Sequence, residues 1–234
     1  MIRVGIFSFT CCEGCQLQIL DLGGRFSELA KYFDFQHFRL AQEKNIEGKF
    51  DIGIVEGSIA RKDELEKIKE IREKCSYLIT IGACAVSGGV PSLINPLKKS
   101  YAKKPDLQNT SSIGKHVKVD YNIRGCPIEG NEFEMVLIDY LIGKRHGEIN
   151  HPVCVECTQR KIDCLFNKGL PCLGPVTAAG CNAQCPGNDT ACEGCRGLIE
   201  DANLLSYKTE LKRMGFTEKE IKNKLSRFSE GTKQ

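Results

Sequence analysis

Fourteen cysteines mark this chain, and eight of them fall between Cys154 and Cys195 in the spacing C-x2-C-x6-C-x7-C-x8-C-x3-C-x6-C-x2-C. Glycine and proline interrupt the segment and no hydrophobic period persists in it, so an apolar core is not expected to hold it together. Soft thiolates at C-x2-C spacing suit zinc or an iron–sulfur cluster, because two intervening residues let both sulfurs face one centre. Eight thiolates make two four-ligand sites. Disulfides are the other use of such spacing and are favoured in short secreted chains. The opening Met1-Ile2-Arg3-Val4-Gly5-Ile6-Phe7 has neither the charged start and long apolar run of a secretory signal nor a twin-arginine sequence. No run of about 18 apolar residues is present either. A reducing cytoplasm is the expected setting, and metal the expected use of the cysteines.

The elements that would position the other cysteines are legible from hydrophobic pattern. Strands are expected over Arg3–Phe9, Phe35–Leu40, Phe50–Val55, Tyr77–Ile81 and Val117–Ile123. Helices are expected over Gln16–Phe33, weakened by Gly23-Gly24, over Arg61–Lys74 and over Glu132–Ile142. The charges alternating along Arg61–Lys74 read as a solvated face. Strands alternating with helices imply a mostly parallel sheet between helical layers, a flavodoxin-like or Rossmann-like α/β domain. On this pattern Cys12 and Cys15 follow the first strand, Cys84 follows the strand ending at Ile81, and Cys126 follows the strand ending at Ile123. The carboxyl ends of parallel strands share one edge, where ligands bind. Four thiolates far apart in sequence can therefore meet at one site, with Gly14, Gly82 and Gly125 allowing close backbone approach and supplying amide donors to cluster sulfurs.

No phosphate-binding motif competes for that edge, since Ser8-Phe9-Thr10-Cys11-Cys12-Glu13-Gly14-Cys15 matches neither the dinucleotide nor the Walker pattern. Glu56, also at a strand end, reads either as a carboxylate supporting the site or as a solvated loop acid. Residues 87–116 carry no convincing period and include the basic pairs Lys98-Lys99 and Lys103-Lys104, read as solvated. After Gly197 two short amphipathic helices follow, the second opening on a capping box of Thr217 and Glu220 with Phe216 stapling onto Ile221. The expected division is residues 1–147 for the α/β domain, 148–200 for the cysteine-rich domain and 201–234 for a helical tail. A length of 234 residues suits one well-buried domain plus a smaller one. The formal charge of +3 is too small to argue for nucleic acid or a membrane surface.

At Cys12-Glu13-Gly14-Cys15-Gln16-Leu17, Val55-Glu56-Gly57-Ser58, Ile81-Gly82-Ala83-Cys84-Ala85, Gly125-Cys126-Pro127 and Pro171-Cys172-Leu173-Gly174-Pro175-Val176-Thr177 the chain resembles the small subunits of nickel–iron hydrogenases. The resemblance is to the cytoplasmic branch, with the sulfhydrogenase delta subunits and the methyl-viologen-reducing hydrogenases, and it runs over nearly all of residues 2–200. It implies a flavodoxin-like N-terminal domain with a proximal 4Fe-4S cluster and a small irregular cysteine-rich C-terminal domain with a medial and a distal one. Carried over, it makes Cys12, Cys15, Cys84 and Cys126 the proximal ligands. Cys154, Cys157, Cys164 and Cys172 become the distal ligands, and Cys181, Cys185, Cys192 and Cys195 the medial ones. Periplasmic relatives often place a histidine where this chain has Cys154, and use a three-iron medial cluster; here the cysteines suffice for three 4Fe-4S clusters. Cys11 and Cys75 are left over. Cys75, beside a strand, reads as a small buried hydrophobe, and Cys11 as a neighbour of the proximal site, as in the adjacent cysteines of complex I relatives.

The function implied is an electron relay. A nickel–iron large subunit would cleave dihydrogen, and this chain would conduct electrons to a downstream redox subunit that is flavin- and NAD(P)-linked, ferredoxin-like, part of a heterodisulfide reductase, or deazaflavin-linked. The chain lacks the paired C-x2-C motifs of a nickel–iron site, so it holds no catalytic residues of its own. The rivals are a complex I-like iron–sulfur subunit, which usually stops after one cluster, and a zinc-stabilised interaction module.

Overall fold

The computed structural model describes residues 1–97 and 107–228. The chain divides into two compact units, Met1–Lys144 and Arg145–Gln234. Lys98, Lys99, Lys103 and Lys104 lie outside the described residues.

Unit 1 is built on a five-stranded, wholly parallel sheet of β1 (Ile2–Ser8), β2 (Phe33–Phe38), β3 (Phe50–Glu56), β5 (Cys75–Ile81) and β7 (Tyr121–Ile123). Its order is β2-β1-β3-β5-β7, the doubly wound flavodoxin order. Burial on both faces explains why the central strands read as nearly continuous apolar runs. One face, with Val4, Ile6, Ile52, Ile54, Ile79 and Ile81, packs on Ile19, Leu22, Leu29, Phe133 and Leu137 of the helical side. The other, with Phe7, Val55 and Leu78, packs on Ile68 and Ile71 of α3 (Lys62–Lys74).

Several boundaries differ from expectation for local reasons. The single helix expected over Gln16–Phe33 is two, α1 (Gly14–Leu20) and α2 (Gly24–Leu29), divided at Gly23, whose φ of +55° leaves the helical region. The second strand begins earlier, at Phe33, and the strand expected over Val117–Ile123 is only Tyr121–Ile123. The stretch without a period contains a 3-10 segment at Val90–Leu97 and strand β6 (Leu107–Ser111), which pairs antiparallel with β4 (Ile59–Arg61). The polar composition of β6 hid it. Two further helices, α4 (Gly82–Ser87) and α5 (Gly130–Leu141), follow β5 and β7.

Unit 2 takes in the cysteine-rich segment and the tail helices together. Its helices are α6 (Val153–Gln159), α7 (Gln184–Gly187), α8 (Leu204–Arg213) and α9 (Glu218–Ser226). Contrary to the expectation that the segment lacks an apolar core, Val153, Leu173, Val176 and Cys192 pack with Tyr207, Leu211 and Ile221. The tail supplies the greasy surface that the cysteine segment lacks. The capping box at α9 is present: Glu220 N donates to Thr217 Oγ1 at 3.3 Å and Thr217 N to Glu220 Oε2 at 2.8 Å. Among the described residues no helix is long and apolar enough to cross a membrane.

Candidate iron–sulfur sites

In unit 1 the turns after β1, β5 and β7 carry the predicted cysteines to one edge of the sheet. The first turn is anchored to the end of β3 by Phe9 N donating to Glu56 O at 2.9 Å and by Thr10 and Ser58 exchanging amide–carbonyl bonds at 3.2 and 3.0 Å. Thr10 Oγ1 also donates to Glu64 Oε1 at 2.8 Å, and the other Glu64 oxygen accepts from the amides of Ala60 and Arg61 at the start of α3. The β5 and β7 turns are joined directly, with Ala83 N donating to Gly125 O at 2.7 Å.

Glycine is required at Gly82. Its φ is +82°, and a Cβ built there would lie 2.4 Å from Cys15 Sγ and 3.7 Å from Gly125 O. Cys15 on α1 thus rests against the β5 turn. On the other side of the site a Cβ on Gly14 would stand 3.4 Å from Cys12 Sγ and 4.0 Å from Pro127 Cβ. Burial pushes the Cys84 thiol up to about 12, with Cys126, Cys12 and Glu56 adding to it. The Cys126 thiol is raised by burial and then by Cys12 and Glu56, and that of Cys15 by burial, Glu56 and, more weakly, Cys126. Cys126 is thus within electrostatic reach of Cys12, Cys15 and Cys84, and Cys84 of Cys12. Cys11 joins them: burial and Glu56 raise its thiol to about 12, with Cys84 contributing. Cys75 lies elsewhere, buried in the α3-side core, where burial lifts its thiol to about 11.

Glu56 is buried, with 2% of its surface exposed. Its carboxylate accepts from Cys15 N at 3.1 Å, Gln16 N at 3.3 Å and Gln16 Nε2 at 3.0 Å. It is therefore no solvated loop acid; it fixes the start of α1 and the Cys15 backbone. Sequence reasoning missed Gln16, its buried partner, and the clamp beside Cys12 in which Glu13 accepts from Ser8 Oγ at 3.0 Å and pairs with Arg39. Glu13 has a positive φ of 62°, which that clamp holds.

In unit 2, α6 carries Cys154 and Cys157 within one turn. A Cβ on Gly174 would lie 3.5 Å from both Cys154 Sγ and Cys172 Sγ, and Cys192 N donates to Cys172 Sγ at 3.3 Å. The Cys154 thiol is pushed up to about 11 by burial, then by Cys157, Cys172 and Cys164. Cys157 is raised by burial and then by Cys172, Glu156 and Cys164. The first set of four is thus gathered. Of the second, Cys192 is raised by burial and then by Cys172 and Cys195, against the Gly194 amide and Thr177. Cys181 is raised by burial and Glu156, and Cys185 by burial and Glu193. Cys192 thus interacts with Cys195, while Cys185 and Cys192 also feel Cys172 and Cys157 feels Cys181, so the interactions cross between the two predicted sets; Cys181 precedes the turn into α7, which carries Cys185.

Two residues missed by sequence reasoning organise that turn. Glu156, inside the first C-x2-C, accepts from Gly180 N at 2.7 Å and Ala183 N at 2.9 Å and lies 3.8 Å from Cys181 Sγ. Arg196, next to Cys195, is buried, and its Nε donates to Ala179 O.

All fourteen cysteines are free thiols. Among the described residues no three His, Cys, Asp or Glu side chains close on a single point as one metal ion requires. A cubane asks for a different arrangement, four thiolates spread around a cluster with each on its own iron. The donor chemistry fits it: soft sulfurs lie in groups, some buried, and where burial raises the thiol, as at Cys15, Cys84, Cys154 and Cys192, the thiolate is disfavoured until a metal centre supplies positive charge.

The profile of the family described as NADH ubiquinone oxidoreductase, 20 Kd subunit, matches residues 12–140. The chain is 35% identical over 236 residues to the Sulfhydrogenase 2 subunit delta of Pyrococcus furiosus, covering 97% of this chain and 99% of that one. Among solved structures, a NAD+-reducing [NiFe]-hydrogenase in its H2-reduced state is similar at 25% identity and a TM-score of 0.55, over 62% of this chain and 94% of the other. The [NiFeSe]-hydrogenase of Dm. baculatum shares the fold, with a TM-score of 0.63 at 16% identity over 83% and 94% of the two chains. The chain belongs to the family of the NADH ubiquinone oxidoreductase 20 Kd subunit, among its hydrogenase small subunits.

Proposed function

We propose that this chain is the electron-relay subunit of a cytoplasmic nickel–iron hydrogenase and holds three 4Fe-4S clusters. Cys12, Cys15, Cys84 and Cys126 hold the proximal one, Cys181, Cys185, Cys192 and Cys195 the medial one, and Cys154, Cys157, Cys164 and Cys172 the distal one. The observation that carries the reading is the convergence of Cys12, Cys15, Cys84 and Cys126 from three strand ends onto one edge, around the buried Glu56 carboxylate. Similarity to a sulfhydrogenase delta subunit along nearly the whole length supports extending it through the eight-cysteine segment.

When bound, such clusters accept and release one electron at a time, at potentials set by charge, hydrogen bonds to sulfur and exposure. The chain's own contribution is placement. Gly82 and Gly14 let sulfur lie against backbone, Glu56 ties the amides of Cys15 and Gln16 so that α1 begins in one fixed orientation, and Cys192 N supplies a hydrogen bond to Cys172 Sγ. Dihydrogen is cleaved or formed on a large subunit. The downstream partner is a redox subunit of the flavin and NAD(P), ferredoxin-like, heterodisulfide reductase or deazaflavin-linked kind.

The test separates conduction from chemistry. In the assembled complex, Cys126→Ser is expected to abolish hydrogen-dependent dye reduction while hydrogen–deuterium exchange at the large subunit persists. Unchanged dye reduction in that variant, or exchange catalysed by this chain alone, contradicts the relay.

A further inference from the structure

The helix α6 presents different faces to the two sets of cysteines in unit 2. Cys154 and Cys157, three residues apart, share one face, while Glu156 and Arg160, four apart, share another. Glu156 holds the chain on both sides of Cys181. One carboxylate oxygen accepts from Gly180 N at 2.7 Å; the other accepts from Ala183 N at 2.9 Å and lies 3.8 Å from Cys181 Sγ. Arg160 takes the carbonyl side of the same turn, its Nη1 donating to Asn182 O and, at 3.3 Å, to Ala183 O. The guanidinium continues along α7, where a Cβ on Gly187 would stand 2.7 Å from both Nη1 and Nη2. The turn needs such a grip. Asn182 and Ala183 have φ of +50° and +46°, a region that residues with a Cβ rarely hold at two positions running. The next residue begins the helix that carries Cys185. A helix bearing ligands of the first set therefore fixes where Cys181 stands relative to Cys185.

Little else holds α6. It spans seven residues, too short to persist alone in water, its N-cap Pro152 makes no side-chain bond, and of its residues Val153 alone is buried. Its orientation is left to Val153, whose amide donates to Thr177 O at 3.0 Å, and to the ties that Cys154 and Cys157 make with Cys164 and Cys172. We propose that α6 couples the two cluster sites of unit 2: the site of Cys181, Cys185, Cys192 and Cys195 becomes stable only once Cys154, Cys157, Cys164 and Cys172 have fixed α6, with Glu156 and Arg160 as the positioning residues. The inference rests on the three-cluster reading and adds an order of assembly to it. Filling a site with a preformed 4Fe-4S cluster from a thiolate carrier exchanges each S–H bond for an S–Fe bond. The proton passes to the departing carrier thiolate and no electron moves. The coupling has a direction because the first set contains α6 and the second only leans on it.

The experiment counts iron and maps alkylated cysteines by mass spectrometry in the anaerobically purified complex. Emptying the first set with Cys157→Ser and Cys164→Ser together should leave about four irons per chain, with Cys181, Cys185, Cys192 and Cys195 alkylated as well. Emptying the second set with Cys185→Ser and Cys195→Ser together should leave about eight, with Cys154, Cys157, Cys164 and Cys172 still protected. Glu156→Ala, which removes no sulfur, should also leave about eight and open the second set alone. Glu156→Gln keeps the shape and one acceptor, and should hold about twelve irons while releasing the second cluster to a chelator about tenfold faster. About eight irons in the first pair of substitutions, with the second set protected, overturns the order of assembly. Either Glu156 variant with full iron and an unchanged release rate overturns the coupling. So does a Glu156→Ala protein that loses the first set too, which would make Glu156 a general strut. Failure of the underlying reading looks different, since the unsubstituted protein itself would then hold far fewer than about twelve irons.

Discussion

Replacing Gly82 by alanine puts a methyl group where the Cys15 sulfur sits. The built Cβ is 2.4 Å from Sγ, about 1 Å inside ordinary van der Waals contact, which begins near 3.4 Å. Neither partner can yield easily. Cys15 is fixed by the hydrogen bond that its backbone N–H donates to Glu56 Oε1 at 3.1 Å, and the Gly82 turn is fixed to the β7 turn through the neighbouring Ala83 amide at 2.7 Å from Gly125 O. The φ of +82° adds about 1–2 kcal/mol for any L side chain. The methyl clash adds a comparable amount, so the apoprotein should lose about 2–4 kcal/mol. A cluster thiolate displaced by about 1 Å no longer reaches its iron, and iron should fall from about twelve to about eight per chain. The assay is iron and acid-labile sulfide on anaerobically purified Gly82→Ala, with Gly114→Ala as the control, since nothing lies within 4 Å of a Cβ built there. The control should stay within about 0.5 kcal/mol and keep its iron. A Gly82→Ala protein with full iron and an unchanged proximal EPR signal would refute the argument that Cys15 holds a cluster against this turn.

Other consequences follow from the same geometry. Glu56→Ala strips the acceptor from Cys15 N, Gln16 N and Gln16 Nε2, so chemical denaturation should show a loss of at least about 1–3 kcal/mol even without metal; unchanged stability would mean those donors find other partners. Cys75, buried with its thiol raised to about 11, should resist alkylation at pH 8 in the native holoprotein and react on unfolding, and labelling of the native state at the rate of a free thiol contradicts its assignment to the core. Arg3 donates to both oxygens of Asp51, and those bonds hold the Asp51 carboxyl below its ordinary value of 3.8. The folded value being depressed, the stabilisation is present above about pH 4 and is lost as pH falls below it. The difference in melting temperature between the protein and Asp51→Asn should therefore shrink toward pH 3 and under high salt; a difference that grew on acidification would oppose the pairing.

Much of unit 1 was legible because its strands are buried on both faces, so Phe50–Val55 and Tyr77–Ile81 stand out as apolar runs, and because parallel topology places Cys12, Cys15, Cys84 and Cys126 at one edge once the strands are known. The break at Gly23 and the strand Leu107–Ser111 were not legible. A positive φ is set by tertiary packing, and a polar edge strand is specified by its partner Ile59–Arg61 rather than by its own pattern. Glu56 was visible as a strand-end acid, yet its burial depended on Gln16 closing over it. The core of unit 2 was missed because Tyr207, Leu211 and Ile221 lie outside the cysteine segment whose apolar surface they cover. Arg196 gave no signal of its own, since a basic residue beside a cysteine is ordinarily solvated, and only its approach to Gly180 distinguishes it.

The most direct measurement is iron, acid-labile sulfide and nickel on this chain isolated anaerobically with its partners, read beside the EPR spectrum after reduction. About twelve irons and twelve sulfides per chain, interacting 4Fe-4S signals and nickel confined to the partner are the expected result. Four irons, or zinc in place of iron in unit 2, would contradict the three-cluster relay and leave the eight-cysteine segment a structural module.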